Sequence, residues 1–173
     1  MRKYSDTIRA KRYRLTTLPC SFGLVWEGVY KGKPCAIKTL NGNEADSPNI
    51  TRFVDEIKIM TKLQHPNIVP LVFGIIVPPK LCLGLEFAGY GDLTKVLKGG
   101  IAMSRHDKNF GMSWHNEGSS IKLSSIVTGL AAALKFCHSL DICHRDIKTE
   151  NALVMSDGRC CLADFGEAKK LVR

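Results

Sequence analysis

The run His144-Arg145-Asp146-Ile147-Lys148-Thr149-Glu150-Asn151, followed thirteen residues later by Asp164-Phe165-Gly166, decides how this chain folds. Between the two lie apolar stretches and one turn signal. A strand is expected over Ala152 to Met155, a turn at Ser156-Asp157-Gly158, and a second strand over Arg159 to Ala163. Two clusters of charged and amide side chains are thus joined by a predicted hairpin.

Working back from the hairpin, Leu123, Val127, Leu130, Leu134 and Cys137 recur every three or four residues, which predicts an amphipathic helix over 121–140. The stretch from Gly99 to Ser120 has no steady periodicity and is expected to be an exposed insertion. A short helical piece over Leu93 to Leu97 follows a bend rich in glycine. Two apolar strands, Ile68 to Val77 and Leu81 to Phe87, are separated by Pro78-Pro79. His65-Pro66-Asn67 closes a helix over 51–63 whose apolar face carries Phe53, Ile57, Met60 and Leu63. From Leu15 to Leu40 short strands alternate with turns: Leu24 to Trp26, Gly28 to Tyr30, then Cys35 to Thr39 after a turn over Lys31 to Pro34.

The bulk composition sets outer bounds. The 173 residues, 45% apolar and 24% charged, suffice for one globular domain or two small lobes sharing a core, and exclude a disordered or fibrous chain. Basic residues outnumber acidic ones by 25 to 16, giving a net charge of +9 that favours an anionic partner. Much of the excess sits in residues 1–14, where Arg2, Lys3, Arg9, Lys11, Arg12 and Arg14 face only Asp6. No aromatic platform accompanies them, so a solvated basic arm is expected rather than a nucleic-acid surface. The seven cysteines are odd in number and lack C-x-x-C pairs, which predicts reduced cytoplasmic thiols rather than a zinc site or disulfides. The most apolar segment is interrupted by Pro70 and Gly74 and is too short to span a bilayer, so no membrane partner is expected.

The two quoted clusters resemble the catalytic loop H-R-D-x-K-x-x-N and the metal motif D-F-G of the eukaryotic-type protein kinase family. Eight specified residues would coincide by chance in a chain of this length with odds of about one in a hundred million. The resemblance implies an α+β, two-lobe fold: a small lobe of antiparallel strands plus one helix over 15–87, and an incomplete, mainly helical large lobe over 88–173. It implies ATP and Mg2+ as cofactors and a protein serine/threonine kinase as the activity, Lys148 being the form associated with serine/threonine members.

The same resemblance assigns roles by position. Asp146 would take the hydroxyl proton and Lys148 would neutralise the moving phosphate, while Asn151 and Asp164 would hold magnesium. Ala36-Ile37-Lys38 resembles the V-A-I-K strand, with Lys38 on the phosphates and paired with Glu56 at the middle of the following helix, Asp55 pointing elsewhere. Val25 and Ala36 would lie above the adenine and Leu153 below it. Leu85 would stand at the gatekeeper position, and Glu86, Phe87 and Ala88 would form the hinge. Asp92 would either contact ribose or cap the helix behind it.

Two departures qualify the match. Gly23 fits the last glycine of G-x-G-x-x-G-x-V, but Leu18 and Cys20 stand where the family has its first two, which reshapes the phosphate clamp. After Gly166 only Glu167 to Arg173 remain, so a domain truncated after D-F-G is expected, with apolar surface on the large lobe for a partner to cover. The protein substrate is not encoded in these residues. A non-catalytic nucleotide-binding or regulatory module of the same fold is the alternative that these departures favour.

Overall fold

At Lys31-Gly32 the chain reverses with φ of 50° and 80°, the left-handed pair that a two-residue hairpin requires. Gly32 meets that demand without strain, and the turn sets the register of β2 (Leu24–Tyr30) against β3 (Lys33–Thr39). The computed structural model describes residues 8–14, 24–40, 48–77, 80–98 and 123–171. The expected insertion near 99–120 and Gly23 lie outside them.

Five strands form the first sheet in the order β1-β2-β3-β5-β4, all antiparallel, with β4 at Leu71–Val77 and β5 at Lys80–Glu86. Two expectations are corrected here. β2 runs unbroken through Gly28, because that residue is paired on both sides, with Ala10 and with Cys35. Part of the expected basic arm is strand β1 (Ile8–Arg14), paired along β2. A run of charges reports where side chains find water; backbone pairing along an open strand edge is independent of it.

Helix α1 spans Pro48–Met60, starting and stopping three residues before the expected bounds. Proline suits a first helical turn, whose amide hydrogens have no partner within the helix. Beyond Met60 the chain tightens into turns, with Lys62 and Leu63 donating to carbonyls only three residues back. Phe53 and Ile57 bury their side chains with Leu81 and Leu83, fixing the helix on the β4–β5 side of the sheet.

The second part follows α2 (Leu93–Leu97). Helix α3 (Leu123–Ser139) packs Ala133 and Cys137 into a core with Met60, Ile68, Leu162 and Phe165. Strands β6 (Gly91–Asp92), β8 (Ala152–Val154) and β9 (Cys160–Leu162) make a small sheet, and β7 (Ile142–Cys143) pairs with β10 (Lys169–Lys170). The two parts are stitched by main-chain bonds: Val69 N donates to Leu162 O at 3.0 Å, and Leu162 N donates to Asn67 O at 2.8 Å.

The His65-Pro66-Asn67 turn reinforces the seam. Asn67 Nδ2 donates to Cys160 O at 2.9 Å and rests against Gly129, where a Cβ would approach it to 2.5 Å. His65 stacks on Phe136 with ring centroids 5.3 Å apart. Among the described residues the cysteines are free, and burial pushes the thiols of Cys137, Cys160 and Cys161 up to about 11, which keeps them protonated. No described helix is long and apolar enough to cross a membrane.

On the sheet, the Phe73 ring lies over Gly84 and meets Tyr30 at 4.8 Å. A Cβ on Gly84 would stand 2.2 Å from that ring. Gly84→Val is therefore expected to destabilise the fold by about 1–3 kcal/mol, read as a lower urea midpoint. Phe73→Ala in the same chain should recover part of the loss, and a double variant whose losses simply add would show that the ring is not the obstacle.

Candidate functional site

Lys38 sits in β3 with its side chain on the face that receives α1, since alternate strand residues point the same way and Ala36 and Lys38 share that face. Glu56 is on the buried side of α1, one helical turn from Phe53 and Met60. The two meet: Lys38 Nζ donates to Glu56 Oε2 at 2.8 Å and to Oε1 at 3.0 Å. It also donates to Asp164 Oδ1 at 2.9 Å, so one ammonium bridges the sheet, the helix and the end of the hairpin. The side chains are 7%, 4% and 14% exposed, respectively, so the triad is almost dry. Asp55, the neighbour of Glu56, instead faces solvent and pairs with Lys58.

Asp164 has φ of 56°, a left-handed conformation that costs an L residue of order 1–3 kcal/mol. What holds it there is visible on both sides. Its carboxylate is tied to Lys38, and the next residue, Phe165, is 1% exposed in the core with Met60 and Leu162. His144 meets the Phe165 ring edge-on at 4.7 Å, and its Nε2 lies 2.9 Å from Ala163 O. Its Nδ1 accepts from Asp146 N at 3.3 Å, so Nε2 carries the proton and the ring is neutral. Burial lowers the His144 pKa, consistent with that tautomer. Arg145, at φ of 72°, is exposed.

The catalytic-loop residues converge on one carboxylate oxygen. Asp146 Oδ2 accepts from Lys148 Nζ at 2.6 Å and from Asn151 Nδ2 at 2.8 Å, and Asn151 Nδ2 also donates to Asp146 O at 2.8 Å. The Lys148 hydrogen bond, first among the causes, holds the Asp146 carboxyl below its ordinary range, and the same contact raises Lys148. With Nδ2 facing two acceptors, the orientation of the Asn151 amide is fixed and its Oδ1 turns away from Asp146. Among the described residues nothing donates to Asn151 Oδ1 or to Asp164 Oδ2.

These groups open on a cleft between the sheet and the hairpin. Val25, Ala36, Lys38, Glu56, Glu86, Ala88, Leu153, Asn151 and Asp164 all line it, together with Leu85 and Phe87. Asp146 and Lys148 adjoin it through Asn151. Glu86 N donates to Pro70 O at 3.0 Å and is committed to the sheet, whereas the Ala88 amide hydrogen has no acceptor among the described residues. Asp92 is 2% exposed and caps α2, accepting from Lys95 N at 3.0 Å with Lys95 Nζ at 3.2 Å from its other oxygen. That geometry accounts for the helix-cap role left open by the sequence.

The cleft fits an adenine nucleotide with a hard cation. Apolar walls suit a planar base, an unpaired hinge amide offers it a hydrogen bond, and a buried ammonium suits phosphate oxygens. Asn151 Oδ1 and Asp164 Oδ2, which have no donor among the described residues, are oxygens of the hard kind that would suit magnesium beside substrate phosphates. Among the described residues no group of three or more His, Cys, Asp or Glu side chains is placed to hold a metal unaided. Sequence inspection missed Lys95 and Glu150 on the cleft wall; the only local signal for Lys95 is its spacing of three from Asp92.

Burial raises the Glu56 carboxyl above its ordinary 4.5, Lys38 opposes that rise, and Asp164 adds to it. Lys38→Met removes the opposing charge, so the folded state then holds a proton that the unfolded chain releases. Stability of this variant should fall as pH rises from about 4.5 through the raised Glu56 value. The expected deficit against the parent chain is about 3–5 kcal/mol at neutral pH and smaller in acid. Urea titrations at the two pH values check it, and an equal deficit at both would refute the buried-carboxylate assignment.

A family model described as the protein kinase domain matches residues 20–173. The chain is 31% identical over 150 residues to a putative serine/threonine-protein kinase/receptor, R826, of Acanthamoeba polyphaga mimivirus, covering 86% of this chain and 8% of that protein. It is 33% identical over 150 residues to RasGEF domain-containing serine/threonine-protein kinase X of Dictyostelium discoideum, covering 86% and 14%. It is also 29% identical over 153 residues to tyrosine-protein kinase SRK3 of Spongilla lacustris, covering 86% and 40%. The chain thus spans less than half the length of each of these relatives. With the α+β fold, the bridging lysine and the family match in agreement, the chain belongs to the eukaryotic-type protein kinase family.

Proposed function

We propose that this chain carries the nucleotide site and phosphoryl-transfer machinery of a protein serine/threonine kinase, moving the ATP γ-phosphate to a protein hydroxyl. The observation that carries the proposal is Lys38 held between Glu56 and Asp164, opposite the Asp146–Lys148–Asn151 cluster. In this assignment Val25 and Ala36 cover the base, Leu153 supports it from below, and the hinge at Glu86 to Ala88 meets its edge through the Ala88 amide. Lys38 orients the α- and β-phosphates, and Glu56 keeps the ammonium aimed at them. For Gly23, the proposal keeps the phosphate-covering role that the sequence resemblance implies.

Magnesium, held by Asn151 and Asp164, would supply charge neutralisation at the phosphates. Asp146 receives the substrate hydroxyl through Oδ1, its other oxygen being engaged by Lys148 and Asn151. Because its pKa is low, Asp146 is a weak base: it orients the hydroxyl and takes the proton once bonding to phosphorus has acidified that group. Lys148, charged and beside it, neutralises the transferred group.

Support for serine/threonine preference is Lys148 in the loop together with the names of most relatives given above. A reducing, cytoplasmic setting is supported by the free thiols among the described residues. Exposed Val127, Ile147 and Leu171 support a partner surface on the large-lobe side. The second assignment, a non-catalytic nucleotide-binding or regulatory module, draws on Leu18 and Cys20 at the glycine positions.

Transfer of labelled phosphate from Mg-ATP to a serine/threonine peptide mixture separates the two. Asp146→Asn should lower transfer by roughly 10²–10⁴-fold while leaving the Kd for Mg-ATP within a few-fold. Asp164→Asn should instead remove the magnesium dependence of binding. Binding without transfer in the parent chain would favour the regulatory module.

A further inference from the structure

The first sheet ends at β4, and among the described residues no strand pairs with its outer edge. An open edge carries unpaired main-chain donors and acceptors, and natural proteins guard it with charges, prolines or bulges. Here the guards stand only at the two ends. An irregularity between Leu71 and Phe73 interrupts the ladder on one side, and Pro78 follows the strand on the other. Between them the pairing with β5 is regular, from Phe73 opposite Gly84 to Val77 opposite Lys80, and no residue of this span is charged. Ile76 is 51% exposed and Val77 68%.

Residues directly opposite each other share a face of the sheet. Gly74 and Ile76 therefore lie on the face of Leu83 and Leu81, where Ile57 of α1 stands over Gly74. Phe73, Ile75 and Val77 lie on the other face. One antiparallel pairing of this edge with itself uses the whole regular span, and it is centred on Ile75. It sets Ile76 of each copy opposite Gly74 of the other, beside Ile57, and Val77 opposite Phe73, a β-branched side chain against an aromatic ring.

We propose that the β4 edge is an interface for a second copy of this chain, formed by antiparallel pairing of residues 73–77 about a two-fold axis at Ile75. The interface is independent of the kinase assignment. A second copy suits the edge because its own span is apolar throughout and complements itself, whereas a charged partner strand would find no side chain there to pair with. So short a ladder buries far less than the standard interface of about 1,600 Å2, so the dimer is weak and reversible. Each copy carries a net charge of +9, so mutual repulsion opposes the contact and salt favours it.

The test combines sedimentation with disulfide cross-linking of the whole chain. The weight-average mass should rise with concentration towards twice the monomer value, and more steeply at about 0.5 M salt than at low salt. Ile76→Lys places a charge on the edge and should hold the mass at the monomer value with an unchanged far-UV circular dichroism spectrum. Val127→Lys, on α3, should leave association intact. Under oxidation, Ile75→Cys should give a disulfide dimer, because its two copies face each other across the axis. Val77→Cys, although at the more exposed position, should not, because its two copies lie four residues apart along the ladder, about 13 Å. The parent chain, with its own seven cysteines, sets the background. A mass that stays at the monomer value at all concentrations, association lost in Val127→Lys but kept in Ile76→Lys, or Val77→Cys cross-linking ahead of Ile75→Cys would each overturn the interface. The cross-linking order decides even where Ile76→Lys fails to fold.

Discussion

A single ammonium, that of Lys38, lies within 3.0 Å of two carboxylates from elements far apart in sequence, and the structure is organised around satisfying it. Ions this dry are tolerated only when paired with good geometry, because removing one partner leaves an uncompensated charge. The requirement fixes three things together: the side chain of β3 that turns inward, the rotation of α1 that brings Glu56 rather than Asp55 to the sheet, and the end point of the hairpin. No one of the three elements can shift alone without breaking a buried contact.

The hairpin end meets that demand by a division of labour between neighbours. Asp164 turns its carboxylate into the cleft, and Phe165 drives its ring into the core shared by Met60, Ile68 and Leu162. Adjacent residues of an extended chain point to opposite sides, but holding both in fixed sites here requires a left-handed Asp164. His144 stabilises the arrangement from below, touching Phe165 with its ring edge and Ala163 O with its Nε2. The polar site therefore has an apolar foundation, and the strain in its backbone is offset by core packing rather than by the polar contacts alone.

What was legible in the sequence follows from this division. That Asp146, Lys148 and Asn151 come together, and that Asp164 meets Lys38, could be expected because the motifs they resemble tie side-chain identity to fixed spacing, and Glu56 could be expected because helical periodicity marks the inward face of α1. The helix–strand order of the small lobe was legible from apolar patterning for the same reason. β1 was not, since a run of basic residues in sequence reads as a solvated arm, while the backbone at Ile8, Arg9, Ala10 and Arg14 pairs with β2 regardless. Nor were the two-residue strands β7 and β10, whose pairing joins Ile142 to Lys170 across the whole hairpin and leaves no local periodicity. The cap by Asp92 and the place of Lys95 depend on where α2 docks, which no local pattern encodes.

The charge balance of the site carries one more step. Lys38 supplies one positive charge against the two carboxylates it bridges, so the buried triad has an excess of one negative charge, and Asp164 Oδ2 has no donor among the described residues. In a nearly dry wall such an excess is stable only beside water or a cation. Across the cleft the balance differs: Asp146 is matched by Lys148 and carries no excess. That asymmetry is what the proposed function uses, in which the Asp164 side with the amide of Asn151 would take the cation and Asp146 the neutral hydroxyl. Asp164 lines the cleft and Asp146 adjoins it, and the two differ because only Asp146 has a lysine that bridges no second carboxylate.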